Sequence, residues 1–169
     1  MLTNEQGPQS YDEFQNYTPK ESKPSQDGSH EYYCGDWSND RWYGFGIQCY
    51  KDGRKYIGNH KNDKRHGKGE FSWKDGKKYI GEYRNDRREG FGVQLEPSGQ
   101  EHIGYWDGGV EHGVGYCRGG KTEKYKMGDW ENGHLTCALQ EVEDEEVKRF
   151  EEAARREESN LEGGLEELI

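Results

Sequence analysis

Six histidines, four cysteines, paired glycines and an acidic run are the features of this 169-residue chain whose residue types could do chemistry. His66 and His112 precede Gly67 and Gly113 at matching places in a recurring pattern. A ligand or general base is the chemistry they would offer, but their equivalence makes them part of the pattern. His30, His60, His102 and His134 lack metal-ligand spacing. Cys34, Cys49, Cys117 and Cys137 sit far apart with no C-x-x-C, which predicts free thiols and a reducing compartment. Cys34 and Cys49 fall where two strands of one hairpin would bring them near each other. A dinucleotide fingerprint needs a third glycine three places after Gly-x-Gly, and Cys49, Ser72, Leu95 and Arg118 stand there instead. Glu141, Glu143, Asp144, Glu145 and Glu146 read as a solvated charged face. The expectation is a non-enzyme with no catalytic residue, no cofactor, no metal and no small-molecule substrate.

The elements that position these residues follow from a repeat. Opening glycines fall at Gly35, Gly58, Gly81, Gly104 and Gly128, with three intervals of 23 residues and one of 24. Nine residues after each of the first four comes Gly-x-Gly: Gly44/Gly46, Gly67/Gly69, Gly90/Gly92 and Gly113/Gly115. A third glycine follows at Gly53, Gly76 and Gly99. Self-similarity at such a period signals a repeat architecture.

Each unit contains two strand-like runs. Lys78 to Arg84 alternates, with Tyr79, Gly81 and Tyr83 on one side and Ile80 and Glu82 on the other. Asn85-Asp86 is a turn pair. Phe91, Val93 and Leu95 alternate in the second run, and Asp52-Gly53, Asp75-Gly76 and Ser98-Gly99 mark the next turn. One repeat is therefore one hairpin, and successive hairpins continue as an antiparallel meander. The recurrent strand glycines imply close approach of rings to bare backbone. The rings expected there are Trp37, His60, Tyr83, Trp106 and Trp130, two places after each opening glycine, with Phe45 and Phe91 between paired glycines. In the fourth unit Arg118-Gly119-Gly120-Lys121-Thr122 replaces the Asp-Gly turn, predicting a bulge or changed twist.

The composition fits a thin sheet. Only 28% of residues are hydrophobic and 34% are charged, a balance that leans toward disorder, yet 13% are aromatic and fall in register. Each buried ring removes about 150–250 Å² from water. The charge is uneven: residues 1–30 carry −3, residues 31–135 carry +1 and residues 136–169 carry −8, while Lys51 to Arg88 is a basic block of +7. The polar first thirty residues do not read as a signal peptide, and no apolar run approaches the roughly 20 residues of a membrane span.

At Glu31 to His134 the chain resembles the MORN (membrane occupation and recognition nexus) repeats. The resemblance rests on Tyr-x-Gly-x-aromatic, a turn, Gly-x-Gly and Asp-Gly at a 23-residue period. Four units match, with Lys126 to His134 as a half unit; His102 and Lys126 replace the tyrosine in the later ones. The predicted fold is mainly β: an elongated single-layer antiparallel meander of hairpins with a C-terminal α-helix. Residues 1–30 form a disordered or tethering arm, read first as simply exposed, with Tyr11, Phe14 and Tyr17, spaced by three, as the alternative: anchors for a partner or for the chain's own sheet. Residues 31–135 form the array and residues 136–169 an acidic helix and tail.

The helix is expected over Ala138–Glu158, from the apolar stripe Leu139, Val142, Val147, Phe150, Ala153 and Ala154. It is supported by acid-before-base pairs such as Asp144–Lys148 and Glu145–Arg149. It either folds back over the basic repeats or projects outward to another chain.

Two functions compete. A scaffold would bind an extended or helical protein segment along Trp37, Phe45, Tyr56, Tyr79, Tyr83, Phe91, Trp106 and Trp130, although the same residues also fit plain packing within the sheet. The resemblance implies cytoskeletal, ciliary or membrane-associated assemblies, with protein subunits as partners and a cytoplasmic location. Alternatively, Lys61, Lys64, Arg65, Arg84, Arg87 and Arg88 would bind anionic phospholipid, at about 1 kcal/mol per cation near the surface. The net charge of −10 argues against nucleic acid.

Overall fold

A computed structural model describes residues 30–137 and 139–154. The chain divides into two units, Met1–Arg88 and Glu89–Ile169. The first holds β1 (His30–Ser38), β2 (Arg41–Tyr50), β3 (Lys55–Lys61), β4 (Lys64–Ser72) and β5 (Lys78–Arg84), each paired antiparallel with the next. The second, from Glu89, holds most of β6 (Arg87–Leu95), then β7 (Glu101–Asp107), β8 (Val110–Arg118), β9 (Lys126–Glu131) and β10 (His134–Leu135), again in chain order. Short β11 (Gln140–Glu141) pairs with Met127 and Lys126 of β9, on the same edge as β10 and away from β8. The fold is the expected antiparallel meander of hairpins with a C-terminal helix.

Turn chemistry fixes the register. Asn39-Asp40, Asn62-Asp63 and Asn85-Asp86 all adopt positive φ, between 50° and 73°. Paired positive φ values are what a two-residue hairpin turn of the right twist requires, and Asn and Asp tolerate them best after glycine. At the opposite ends of the strands, Gly53, Gly76 and Gly99 have φ near 90°. Their amides bond the carbonyls of Tyr50, Trp73 and Glu96.

The three strand glycines of each repeat have different causes. The first of each Gly-x-Gly is left-handed: φ is 72° at Gly44 and Gly67 and 76° at Gly113. In β4 it sits in a bulge, where one β3 residue, Asn59, faces the stretch between Arg65 and Gly69. The opening glycine and the second of the pair lie opposite one another, as in Gly58↔Gly69 and Gly104↔Gly115. A Cβ on Gly58 would lie 2.5 Å from the Gly69 Cα. Close approach therefore explains two of the three positions, and a backbone bulge explains the other.

The ring over the bare backbone is also not the expected one. It belongs to the tyrosine two places before the opening glycine. A Cβ on Gly46 would meet the Tyr33 ring, and one on Gly69 would meet Tyr56. A phenol of this length reaches across to the next strand and back to the main chain: Tyr33, Tyr56 and Tyr79 donate their hydroxyls to the carbonyls of Asp36, Asn59 and Glu82, at 3.1, 2.9 and 3.3 Å. The rings two places after the glycine stand edge-on to these tyrosines.

The helix, α1, begins later than the stripe of apolar residues suggests. Residues 140–141 are strand, the Val142 amide bonds the Tyr125 carbonyl, and α1 runs over 144–154. Strand addition to β9 satisfies backbone that the helix would otherwise hold. Asp144, Glu145 and Glu146 then occupy the first helical turn, where the dipole favours negative charge. Lys148 pairs at i,i+3 with Glu145 (3.0 Å) rather than with Asp144. Ala138 and residues 155–158, at the ends of the expected helix, lie outside the described residues, as do Tyr11, Phe14 and Tyr17.

In the second unit α1 folds back on its own sheet. Val147 and Ala154 are buried and Phe150 half-buried against Phe91, Ile103, Tyr105 and Tyr116. The expected seat on the Lys51–Arg88 block is thus replaced by the face of β6–β8, which offers apolar rings. The fourth connection is a loop over residues 119–125 rather than a tight turn. It drops Tyr125 into this core, where its hydroxyl donates to Glu101 (2.6 Å) and the Arg118 guanidinium lies 4.6 Å from its ring centre.

The ring-on-glycine contact predicts a graded response. Gly69→Ala drives a methyl into the Tyr56 ring and should destabilise by about 2–3 kcal/mol. Gly115→Ala should cost less, about 1 kcal/mol, because the smaller His102 ring leaves 3.1 Å there. Denaturant midpoints of the two variants measure the difference.

Candidate binding surface

Within each unit the rings two places before and two places after the opening glycines share one face of the sheet and pack by a repeated rule. On each first strand, rings four residues apart meet edge to face: Tyr33–Trp37 at 5.4 Å, Tyr56–His60 at 5.0 Å, Tyr79–Tyr83 at 5.4 Å and His102–Trp106 at 5.5 Å. Three of these positions also meet the next repeat edge-on, as Tyr33–His60, Tyr56–Tyr83 and His102–Trp130. Such contacts contribute about 0.5–1.5 kcal/mol each beyond area burial.

A further position caps the stack. Two residues before the first three Gly-x-Gly pairs stand Trp42, Arg65 and Arg88. Trp42 lies parallel on Tyr33, at 4.3 Å and 9°. The Arg65 guanidinium sits 5.9, 5.1 and 5.2 Å from the Tyr56, Phe71 and Tyr83 ring centres, and Arg88 sits 5.4 Å from Tyr79. A guanidinium is flat and weakly hydrated, so it substitutes for an indole as a ring cover. Sequence reasoning missed this role and counted both arginines only as cations. The repeat alignment held the signal, a column reading Trp, Arg, Arg.

Burial divides the eight aromatic candidates. Tyr56, Tyr79, Tyr83, Phe91 and Trp106 are buried within their own units. Phe45 and Trp130 are half-buried, and Trp37 is 44% exposed at the end of the stack. Phe45 and Phe91 occupy the opposite face, since their neighbours Gly46 and Gly92 pair with the opening glycines. Burial holds the Tyr56 and Tyr83 phenols far above their ordinary pKa, and they remain protonated.

The basic candidates divide as well. Arg65 bonds Asp86 through Nε (3.1 Å) and reaches the Asp86 carbonyl (2.8 Å), besides covering rings. Lys61, Lys64, Arg84 and Arg87 are exposed and flank the turns Asn62-Asp63 and Asn85-Asp86. Those turns are tied together in series. The Asp63 carboxylate accepts from the Trp42 amide (2.8 Å) and Asp86 from the Arg65 amide (3.0 Å). The amides of Asp63 and Asp86 return bonds to the Trp42 and Arg65 carbonyls. The turn aspartates are thus engaged in holding the edge, while four cations face outward from it.

Among the described residues no three His, Cys, Asp or Glu side chains gather into a metal-binding group. Cys34 and Cys49 fall on one face of β1 and β2, opposite Ile47 and Tyr32, and both are free thiols. His66 is half-buried in β4 and His112 is exposed. Burial first, then the Lys61 and Arg84 cations, holds the His66 pKa below its usual 6.5. As pH falls below that value the unfolded chain takes up this proton before the folded one. The stability its neutral ring confers is therefore complete above about pH 6.5 and is lost as pH falls further. His66→Gln should lose less of its thermal midpoint between about pH 7.5 and about pH 5.5 than the native chain, as read by circular dichroism melts.

The MORN repeat family matches residues 33–53, 56–78 and 79–100. No curated protein matches the chain. MORN repeats are binding modules for proteins or lipids rather than a catalytic family. Three adjacent matches at the spacing of the hairpins show that residues 33–100 are MORN repeats, consistent with a MORN-repeat protein with several repeats.

Proposed function

We propose that this protein is a non-enzymatic scaffold. It would hold a protein partner of acidic character within a larger cytoskeletal, ciliary or membrane-associated assembly, the settings that the family resemblance implies. The observation that carries this reading is the turn edge of the first unit. Lys61, Lys64, Arg84 and Arg87 project from turns locked by the Asp63 and Asp86 bonds. Cations on a rigid frame lose little freedom on binding, which favours recognition. Trp37, exposed at the end of the aromatic stack, supplies an apolar contact in the same unit. The buried rings serve the frame rather than the partner.

The same four exposed cations support a second reading, adsorption to anionic lipid. The chain's net charge of −10 opposes approach to a negatively charged surface, and on that ground the protein partner is preferred.

A variant with Lys61, Lys64, Arg84 and Arg87 all changed to alanine separates these readings. The native chain should bind a polyglutamate peptide, and the variant should bind at least about tenfold more weakly. Peptide binding should also weaken between about 50 and about 200 mM salt. Binding to phosphatidylserine vesicles without binding to the peptide would replace the scaffold with the lipid module. Equal peptide binding by native and variant chains would remove the edge from the site.

A further inference from the structure

The turn edge of the first unit holds a titratable group that the four cations leave unused. His66 is the residue before the second Gly-x-Gly, and the matching residues are Tyr43, Glu89 and His112. No side-chain type is common to this column, so the frame does not dictate an imidazole there. Among the described residues the buried Nδ1 of His66 has no hydrogen-bond partner. His60 is the contrast: its Nδ1 lies 3.1 Å from the Gly58 carbonyl, and its ring packs edge-on against Tyr33 and Tyr56. His60 is built into the stack, whereas His66 is half-buried beside the turns.

The surroundings of His66 are cationic. It sits one residue beyond the Gly67↔Tyr83 pair of β4 and β5, next to Arg84, and Lys61 acts on it from β3. Lys64 and Lys68 belong to β4 itself, and Glu82 of β5 is in register with Lys68. Lys61, Lys64, Lys68 and Arg84 are exposed. Burial first, and then the charges of Lys61 and Arg84, oppose a proton on the ring. The fourth repeat reverses these flanks: His112 has Asp107 and Glu131 at the places of Lys61 and Arg84. An imidazole between two cations answers to whatever neutralises them.

We propose that His66 is a binding residue of this edge, taking a proton from solvent as a carboxylate of the acidic partner seats between Lys61 and Arg84. The inference rests on the scaffold reading and adds a pH dependence to it. A carboxylate there cancels the two charges that oppose a third. The protonated ring then donates a charge-assisted N–H bond to the same carboxylate. In the free chain the ring is held below its ordinary pKa of 6.5, and the bound carboxylate raises it. Binding therefore takes up protons, and affinity rises as pH falls from the bound value to the free one. The lysines and arginines of the edge keep their charge throughout.

Calorimetric titration of the full chain with a polyglutamate peptide, run in two buffers of different ionisation heat, reads this uptake. The peptide's own carboxylates release protons on meeting cations, so net uptake carries the sign of the histidine. The native chain should take up protons and bind about threefold more tightly at about pH 6.0 than at about pH 7.5. His66→Gln should lose both the uptake and the gain in affinity, and His112→Gln should keep both. Circular dichroism at each pH checks that the variants are folded. Native binding without uptake overturns the proposal, as does uptake that persists in folded His66→Gln, and either result leaves the scaffold reading standing. Absence of peptide binding at every pH removes the scaffold reading and this inference with it.

Discussion

The whole array rests on one contact, a tyrosine ring lying on glycine backbone. Two antiparallel strands bring glycines opposite each other, as at Gly58 and Gly69, and the Tyr56 ring fills the space their missing side chains leave. Glycine in a strand sacrifices about 0.5–1 kcal/mol of stability relative to alanine. Here that loss is offset by a buried ring and by a hydroxyl that bonds its own main chain three residues on. With the ring held at both ends, the edge-on aromatic of the same strand and that of the next repeat have a fixed surface to pack on. A chain poor in aliphatic residues thereby obtains a core one side chain deep.

This arrangement explains why the array tolerates variation at some positions and not at others. The cap on each ring is an indole at Trp42 and a guanidinium at Arg65 and Arg88, because either is flat enough to cover a phenol. The ring itself becomes His102 in the fourth repeat, where the glycines have looser surroundings. The same repeat loses its tight turn, and Tyr125 enters the core from the longer loop with Glu101 as acceptor. Substitution in one column is accompanied by a different solution nearby, while the opposed glycines stay.

Much of this was legible in the sequence, because period, turn pairs and alternation are properties of neighbours along the chain. Asn85-Asp86 declares a turn by its own backbone preferences, and Tyr79 and Tyr83 declare a shared face by their spacing. What was misread depends on contacts across strands. The left-handed bulge at Gly67 and the ring-bearing pair at Gly58 and Gly69 look alike as glycines, and only the pairing distinguishes them. Arg65 looks like any surface cation until three rings are placed beneath it. Leu139 and Val142 satisfy helical spacing, yet the free side of β9 was there to take Gln140 and Glu141 as a strand. The aromatic candidates were likewise chosen by type, and type does not distinguish the exposed end of a stack, Trp37, from its interior, Tyr56.

The division between frame and surface bears on how such a protein recognises anything. If the stacked rings were the binding groove, a partner would have to displace Arg65 from three rings and break its bonds to Asp86. A polar turn edge asks for no such disruption. Its aspartates already hold the turns in series, so the backbone that carries the cations is fixed. On the proposed scaffold reading, specificity lies in the pattern of charge along the edge, read at the interval of one hairpin.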